Sequence, residues 1–293
     1  MSSLPSDICE SAPGRKNQRL RIIILILLGL FLIYLCADLY ISNSLIKVNN
    51  LSVDNSKVNS TVRIGVVSDL HNKKFRNSNQ SLYDNLRTQE PHIILTVGDM
   101  LGRNHTEEED IEYLQEVLMK LSQIAPVYSS LGNHELDSPM LEDIRSAITA
   151  SGATLLDKDY TDITINDTPL RIGGLSYYRD WDSSTIQFLY EFSEVSDDRF
   201  TLLLCHFPEY YEWGIENFPV DLMVSGHTHG GMIRLPFVGG LIAPDQGLFP
   251  EYDAGLYDTT CGGKLAITTG LGSSPSFVPR FNNRPEIMII DVN

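Results

Sequence analysis

The stretch VRIGVVSDLH, residues 62–71, decides how the chain folds. Val62, Ile64, Val66 and Val67 form a short apolar run that stops abruptly at Ser68, Asp69 and His71. Buried strands end this way when an α/β sheet carries its chemistry at the C-terminal strand ends. Working outward, Ile93 to Val97 repeats the pattern and ends in Gly98 and Asp99. Between the two runs, Leu82 and Leu86 mark a helix stopped by Pro91. Ile111, Leu114, Leu118 and Leu121 line one face of a helix predicted over 106–124, with Thr106 and Glu109 as its capping box and Pro126 beyond its end. Ser138, Pro139 and Gly152 bracket another helix. Further strands are expected at 127–131, 162–166, 170–174, 201–205, 221–225, 265–269 and 286–291. A single α/β domain over 62–293 is the economical reading.

Five segments place metal-ligating residue types at such strand ends. They are SDLH (Asp69, His71), VGD (Asp99), LGNHE (Asn133, His134), LCHFP (His206) and SGHTHGG (His227, His229). Of the seven histidines, only His92 and His105 fall outside them, so five share one arrangement. Carboxylate, imidazole and amide donors without thiolates suit Mn, Fe or Zn, and argue against a structural zinc. Two ions a few ångströms apart need a bridging carboxylate, for which Asp99 is the candidate. Small residues on both sides of His227 and His229 let the backbone approach closely.

The formal charge is −16. Residues 1–21 carry Arg15, Lys16, Arg19 and Arg21 against Asp7 and Glu10, so the rest is more acidic still. Nucleic acid is therefore not an expected partner, whereas bound cations can reverse the field locally for a small or lipid-like phosphoester. The apolar run 22–37, continued by Leu39, Tyr40 and Ile41, is close to the ~17–20 residues of a spanning helix. Its basic flank holds that end in the cytoplasm. The expected order is a cytoplasmic basic tail (1–21), a single-pass signal-anchor helix (22–41), a polar linker (42–61) reaching at most about 70 Å, and an extracytoplasmic domain (62–293). A cleaved signal peptide is the alternative for the apolar run. Cys9, Cys36, Cys205 and Cys261 form no motif; parity alone allows a Cys205–Cys261 disulfide, which the reading of Cys205 as a buried strand residue opposes.

In order and in type, the five blocks resemble those of the calcineurin-like metallophosphoesterase superfamily. SDLHN, GHTHGGMIRLP, AGLYD, GLGSS and FNNRPEIMII resemble its bacterial YkuE-like and YaeI-like phosphodiesterase branch. The resemblance implies a four-layer αββα sandwich of two mixed sheets, and hydrolysis of a phosphodiester or pyrophosphate by a hydroxide between two divalent ions. It implies one ion on Asp69, His71, Asp99 and His229, and the other on Asp99, Asn133, His206 and His227. His134 stays outside both sets as general acid or electrostatic stabiliser. Many relatives carry an Asp three residues after the GD aspartate, where this chain has Gly102.

Weaker signals leave alternatives open. The loop MIRLPFVGGLIAP (232–244) either walls an acyl-chain site or membrane contact, or packs into the core. Arg234 either reaches a substrate phosphate or pairs with an acidic neighbour. Tyr210, Tyr211 and Trp213 read as core cover. The competing functions are a nucleotide phosphoesterase of the same fold and a non-catalytic metal-binding surface protein.

Overall fold

The computed structural model describes residues 15–103, 107–176, 182–195, 198–274 and 278–293. Two six-stranded mixed sheets pack face to face. The first has the order β1-β16-β2-β3-β4-β5, built from Lys47–Val53 (β1), Val62–Val67 (β2), Ile93–Val97 (β3), Val127–Ser130 (β4), Thr154–Leu155 (β5) and Glu286–Val292 (β16). The second has the order β14-β15-β9-β8-β7-β6, from Asp159–Ile165 (β6), Thr168–Leu175 (β7), Phe200–Cys205 (β8), Leu222–Ser225 (β9), Gly255–Asp258 (β14) and Lys264–Ile267 (β15). Two small hairpins lie outside the sheets: Arg234–Leu235 (β10) with Gly239–Gly240 (β11), and Ile242–Ala243 (β12) with Gly247–Leu248 (β13).

Strand alternation sorts the side chains into layers. Val62, Ile64, Val66, Ile93 and Leu95 meet Leu202, Leu204, Leu222 and Val224 between the sheets. From the same strands, Val67 and Ile94 point outward, against Leu82 and Leu86 of Gln80–Gln89 (α2), Leu114 and Leu118 of Glu108–Ser122 (α3), and Ile144 and Ile148 of Leu141–Ala150 (α5). On the other side, Leu203, Cys205 and Met223 meet Phe188 and Phe192 of Ser183–Ser193 (α6) and Tyr210 of Tyr210–Trp213 (α7). Burial on both faces explains why these strands read as unbroken apolar runs. Because β2, β3 and β4 are mutually parallel, as are β7, β8 and β9, their C-terminal ends gather at one edge.

Several sequence expectations need correction. The linker predicted over 42–61 contains β1, which pairs in parallel with β16 from Lys47↔Glu286 to Val53↔Val292. KVNNLSV escapes detection because it is an edge strand whose polar residues stay partly solvated. The apolar run belongs to a longer helix, Arg15–Ser44 (α1), whose last turns are fastened to the domain. Thr106 lies outside the described residues; in α3 it is Asp110 that accepts from the Glu107 backbone N–H, at 3.2 Å. No helix was expected at α6. Tyr210 and Tyr211 are buried as anticipated, but Trp213 is exposed. Cys205 and Cys261 are free thiols, the first buried and the second on the surface.

Candidate metal centre

Each candidate ligand stands just past a strand end. Asp69 and His71 follow β2, Asp99 follows β3, Asn133 and His134 open the short helix Asn133–Leu136 (α4) after β4, His206 follows β8, and His227 and His229 follow β9. The backbone turns sharply there: Asp69, His71, Asp99, His227 and His229 have φ of 53°, 47°, 50°, 67° and 50°. Side chains visit this left-handed region at a cost of about 1–3 kcal/mol each, and such residues cluster at functional sites. The loops brace one another. His71 N–H donates to Asp99 O at 3.1 Å, Asp69 N–H to Gly98 O at 3.1 Å, and His227 N–H to Asp69 Oδ1 at 3.1 Å. Gly132 is required because a Cβ there would strike the Asp99 carboxylate.

These side chains are buried and converge. Asp69, His71 and His229 bring ligand atoms within 4.8 Å of one another, as do Asp99, His206 and His227, and His71, Asp99 and His134. Asp99 Oδ2 is 3.3 Å from His206 Nε2, 3.7 Å from His134 Nε2 and 3.9 Å from His71 Nε2. Tautomers follow from the outward nitrogens. His206 Nδ1 is 2.7 Å from Val97 O, which only accepts, so Nδ1 carries the hydrogen and Nε2 faces the carboxylates. His227 Nε2 is 2.9 Å from Asp245 Oδ2, leaving Nδ1 free for a ligand.

Electrostatics divides the histidines. Burial pushes the His71 imidazole down to about 4 and His134 below its usual range, with Asp99 opposing in both. His229 is held well below its usual range by burial and by the neighbouring His71 and Arg280. For His206 burial also pulls downward, but Asp99 and Asp69 outweigh it and raise the group to about 10. Asp99 correspondingly lies well below the ordinary carboxylate range, its own burial opposing the pull of His206.

A cation fits this donor set. Asn133 Oδ1, His71 Nδ1, His134 Nδ1 and His206 Nε2 are buried without a hydrogen-bond partner, which is costly unless an ion or water meets them. The carboxylates of Asp69 and Asp99 face imidazole nitrogens rather than lysine or arginine, and a divalent ion is what such a donor set accepts. Residues 62–231 match the model of the calcineurin-like phosphoesterase family.

The chain belongs to that family. This phosphoesterase is a metal-dependent phosphoester hydrolase. It is 31% identical to phosphodiesterase YaeI of Escherichia coli, over 70% of this chain and 71% of that one. To the uncharacterized metallophosphoesterase YkuE of Bacillus subtilis it is 29% identical, over 70% and 68%. To YkoQ of Bacillus subtilis, also an uncharacterized metallophosphoesterase, it is 27% identical over 85% and 96%.

Three supporting residues of the phosphoesterase were not singled out by the sequence. Buried Glu135 accepts from the backbone N–H groups of Asp99 (2.8 Å), Gly132 (2.8 Å) and Leu101 (2.9 Å), latching the loops after β3 and β4 together. It lies within LGNHE, next to two candidate ligands, and its acidic type there is the available signal. Asp245 orients His227 from the second hairpin. Arg280, with 0% exposure, donates to Gly272 O and Thr269 O, and its Nη2 stands 3.5 Å from His229 Nδ1. Of the two expectations for Arg234, the acidic neighbour is what the structure supplies: Nη1 is 3.1 Å from Asp253 Oδ2 and donates to Gly230 O. Gly102, three residues after Asp99, donates its N–H to Asn72 Oδ1 at 2.7 Å.

Proposed function

We propose that the protein is a membrane-anchored phosphodiesterase or pyrophosphatase acting on a lipid-associated or cell-envelope phosphoester outside the cytoplasm. The observation that carries the chemistry is the central place of Asp99, within 4 Å of imidazole nitrogens from His71, His134 and His206. In this reading one divalent ion, Mn, Fe or Zn, is held by Asp69, His71, Asp99 and His229. The other is held by Asp99, Asn133, His206 and His227. Such ions supply Lewis acidity and a lowered pKa for bound water.

The chain's own groups do the rest. Glu135 and the interlocked loops keep the ligands in place before substrate arrives. His134 is the partner of the phosphoryl oxygens or the leaving group. Burial lowers its pKa, so it is neutral at pH 7 and offers a hydrogen bond without adding charge.

Support for the anchor comes from α1, in which Gln18–Ser44 is long and apolar enough to cross a bilayer and its apolar stretch is exposed. The basic flank before it favours an outside location for the domain. Reconstituting the full chain with Mn²⁺ and assaying an aryl phosphodiester and a phospholipid-like phosphodiester tests the reading. His134→Ala is expected to lower kcat by about 10²–10⁴ with metal content unchanged. Absence of turnover of both substrates, or full activity in His134→Ala, overturns it.

A further inference from the structure

The helix α1 does not hang from the domain on a flexible thread. Asn282 N–H donates to Asp38 Oδ2 at 2.8 Å, and Asn283 N–H to Ser42 Oγ at 3.1 Å. Asn43 bonds both the N–H and the C=O of Arg280, at 3.0 and 2.9 Å. Past the helix, Arg284 donates to Leu45 O and Ile46 O, and Lys47 pairs with buried Glu286 at 2.7 Å. The Tyr34 ring meets Phe281 edge to face at 6.3 Å. Tyr34 lies about 6 Å further up the helix than Asp38, so Phe281 stands alongside the apolar part of α1.

From Phe281 a continuous set of backbone hydrogen bonds leads into the two hairpins. Arg234 N–H donates to Phe281 O (3.0 Å), Leu241 N–H to Ile233 O (2.8 Å) and Phe249 N–H to Leu241 O (2.9 Å). Phe237, Val238, Ile242, Leu248 and Phe249 project from these hairpins as exposed large apolar side chains. The core packing considered for 232–244 therefore holds for Met232 and Ala243 but not for the tips. In a chain of charge −16, residues 232–250 carry only Arg234 and Asp245, so this stretch meets anionic lipid without net repulsion. Asp245, on the same rim, is the partner of His227.

The geometry points to a second membrane contact: the tips of β10–β11 and β12–β13 seat in the headgroup region of the leaflet that α1 enters, so that the metal centre opens onto lipid headgroups. This rests on the anchor reading above. The occupant is lipid because the apolar rim is continuous with α1 and held rigidly to it, and a rim of exposed aromatic and aliphatic side chains on a near-neutral stretch is what an interfacial contact requires.

The test uses the full chain in vesicles of phosphatidylethanolamine and phosphatidylglycerol, with Cys9, Cys36 and Cys261 changed to Ser and buried Cys205 kept. Nitroxide labels are placed at Phe237→Cys, at Phe249→Cys and, on the exposed face of α5, at Thr149→Cys. Collision rates are then read with oxygen and with a water-soluble nickel complex. Both tip labels are expected to collide preferentially with oxygen and the Thr149 label with nickel. Tip labels open to nickel, while carbonate leaves the chain in the membrane, overturn the rim and spare the anchor. Release of the chain by carbonate overturns the anchor, and the rim with it. Tip labels that broaden one another between molecules show that a second copy covers the patch, which also overturns the proposal.

Discussion

On one side of Asp99 stand His206 and His227, on the other His71 and His229, and the outward nitrogens of the first two are held in the opposite way to that of His229. His206 and His227 give their spare hydrogens to acceptors, Val97 O and the Asp245 carboxylate. Metal-binding imidazoles are usually braced in this manner, since the acceptor fixes the tautomer and raises basicity. His229 faces a donor instead, the Arg280 guanidinium, and its Nε2 lies 3.3 Å from His71 Nε2. To ligate through Nε2, His229 has to carry its hydrogen on Nδ1 and so give up the Arg280 contact. In orientation one half of the centre is thus preset for an ion once His206 gives up its proton, and the other half is poised against one. The two ions are expected to bind with unequal affinity, the one at His206 and His227 more tightly.

Four measurements break or sharpen that contrast. The largest effect belongs to Asp99→Ala, which strips both halves of their common carboxylate. Metal analysis should find both ions lost, and turnover should fall by more than the ~10–100-fold typical of an outer partner. Retention of two ions would end the idea of a shared ligand. Next, Asp245→Asn should weaken only the tighter ion, by about 10–100-fold, in a chelator competition titration. Equal weakening of both ions would erase the distinction. Arg280→Gln should act in the opposite sense. It tightens the weaker ion by removing the buried cation beside His229, and it lowers the thermal midpoint because the carbonyls of Gly272 and Thr269 lose charged donors, at about 1–3 kcal/mol. Unchanged affinity in that variant would mean that the cation is electrostatically silent.

The smallest effect is in proton release. His206, raised to about 10, is protonated at neutral pH and must shed its proton to ligate, whereas His71, lowered to about 4, has none to shed. Affinity for the tighter ion should therefore rise with pH up to about 10, while the weaker one stays flat above about pH 5. Calorimetry in buffers of different ionisation enthalpy reads this directly. Equal proton release from both halves would refute it.

The candidate ligands were legible in the sequence because each sits within a few residues of a buried strand whose apolar run announces it. Asp69 and His71 after β2, or His206 after β8, need only local pattern to be found. Their supports were not legible, for reasons of distance and type. Asp245 reaches His227 from a loop without periodicity, and Arg280 looks like any surface arginine until the fold encloses it. The segment 47–53 read as a linker because its partner strand lies at the other end of the chain, and an edge strand with Asn and Ser facing solvent lacks the apolar alternation that marks a core strand. Nor does α6 carry local stop signals; Asp182 caps it by accepting from Thr185 N–H, and Phe188 and Phe192 fix it against β7 and β8.

The pairing of β1 with β16 also sets an order of events during synthesis. Helix α1 emerges first, yet the groups that fasten it belong to residues 280–286, and Leu45 and Arg284 are 239 positions apart. At ~5–20 residues per second, the helix waits on the order of ten seconds or more before its clamp exists. Until residues 280–286 arrive, none of these hydrogen bonds exists, and β1 lacks the strand it pairs with.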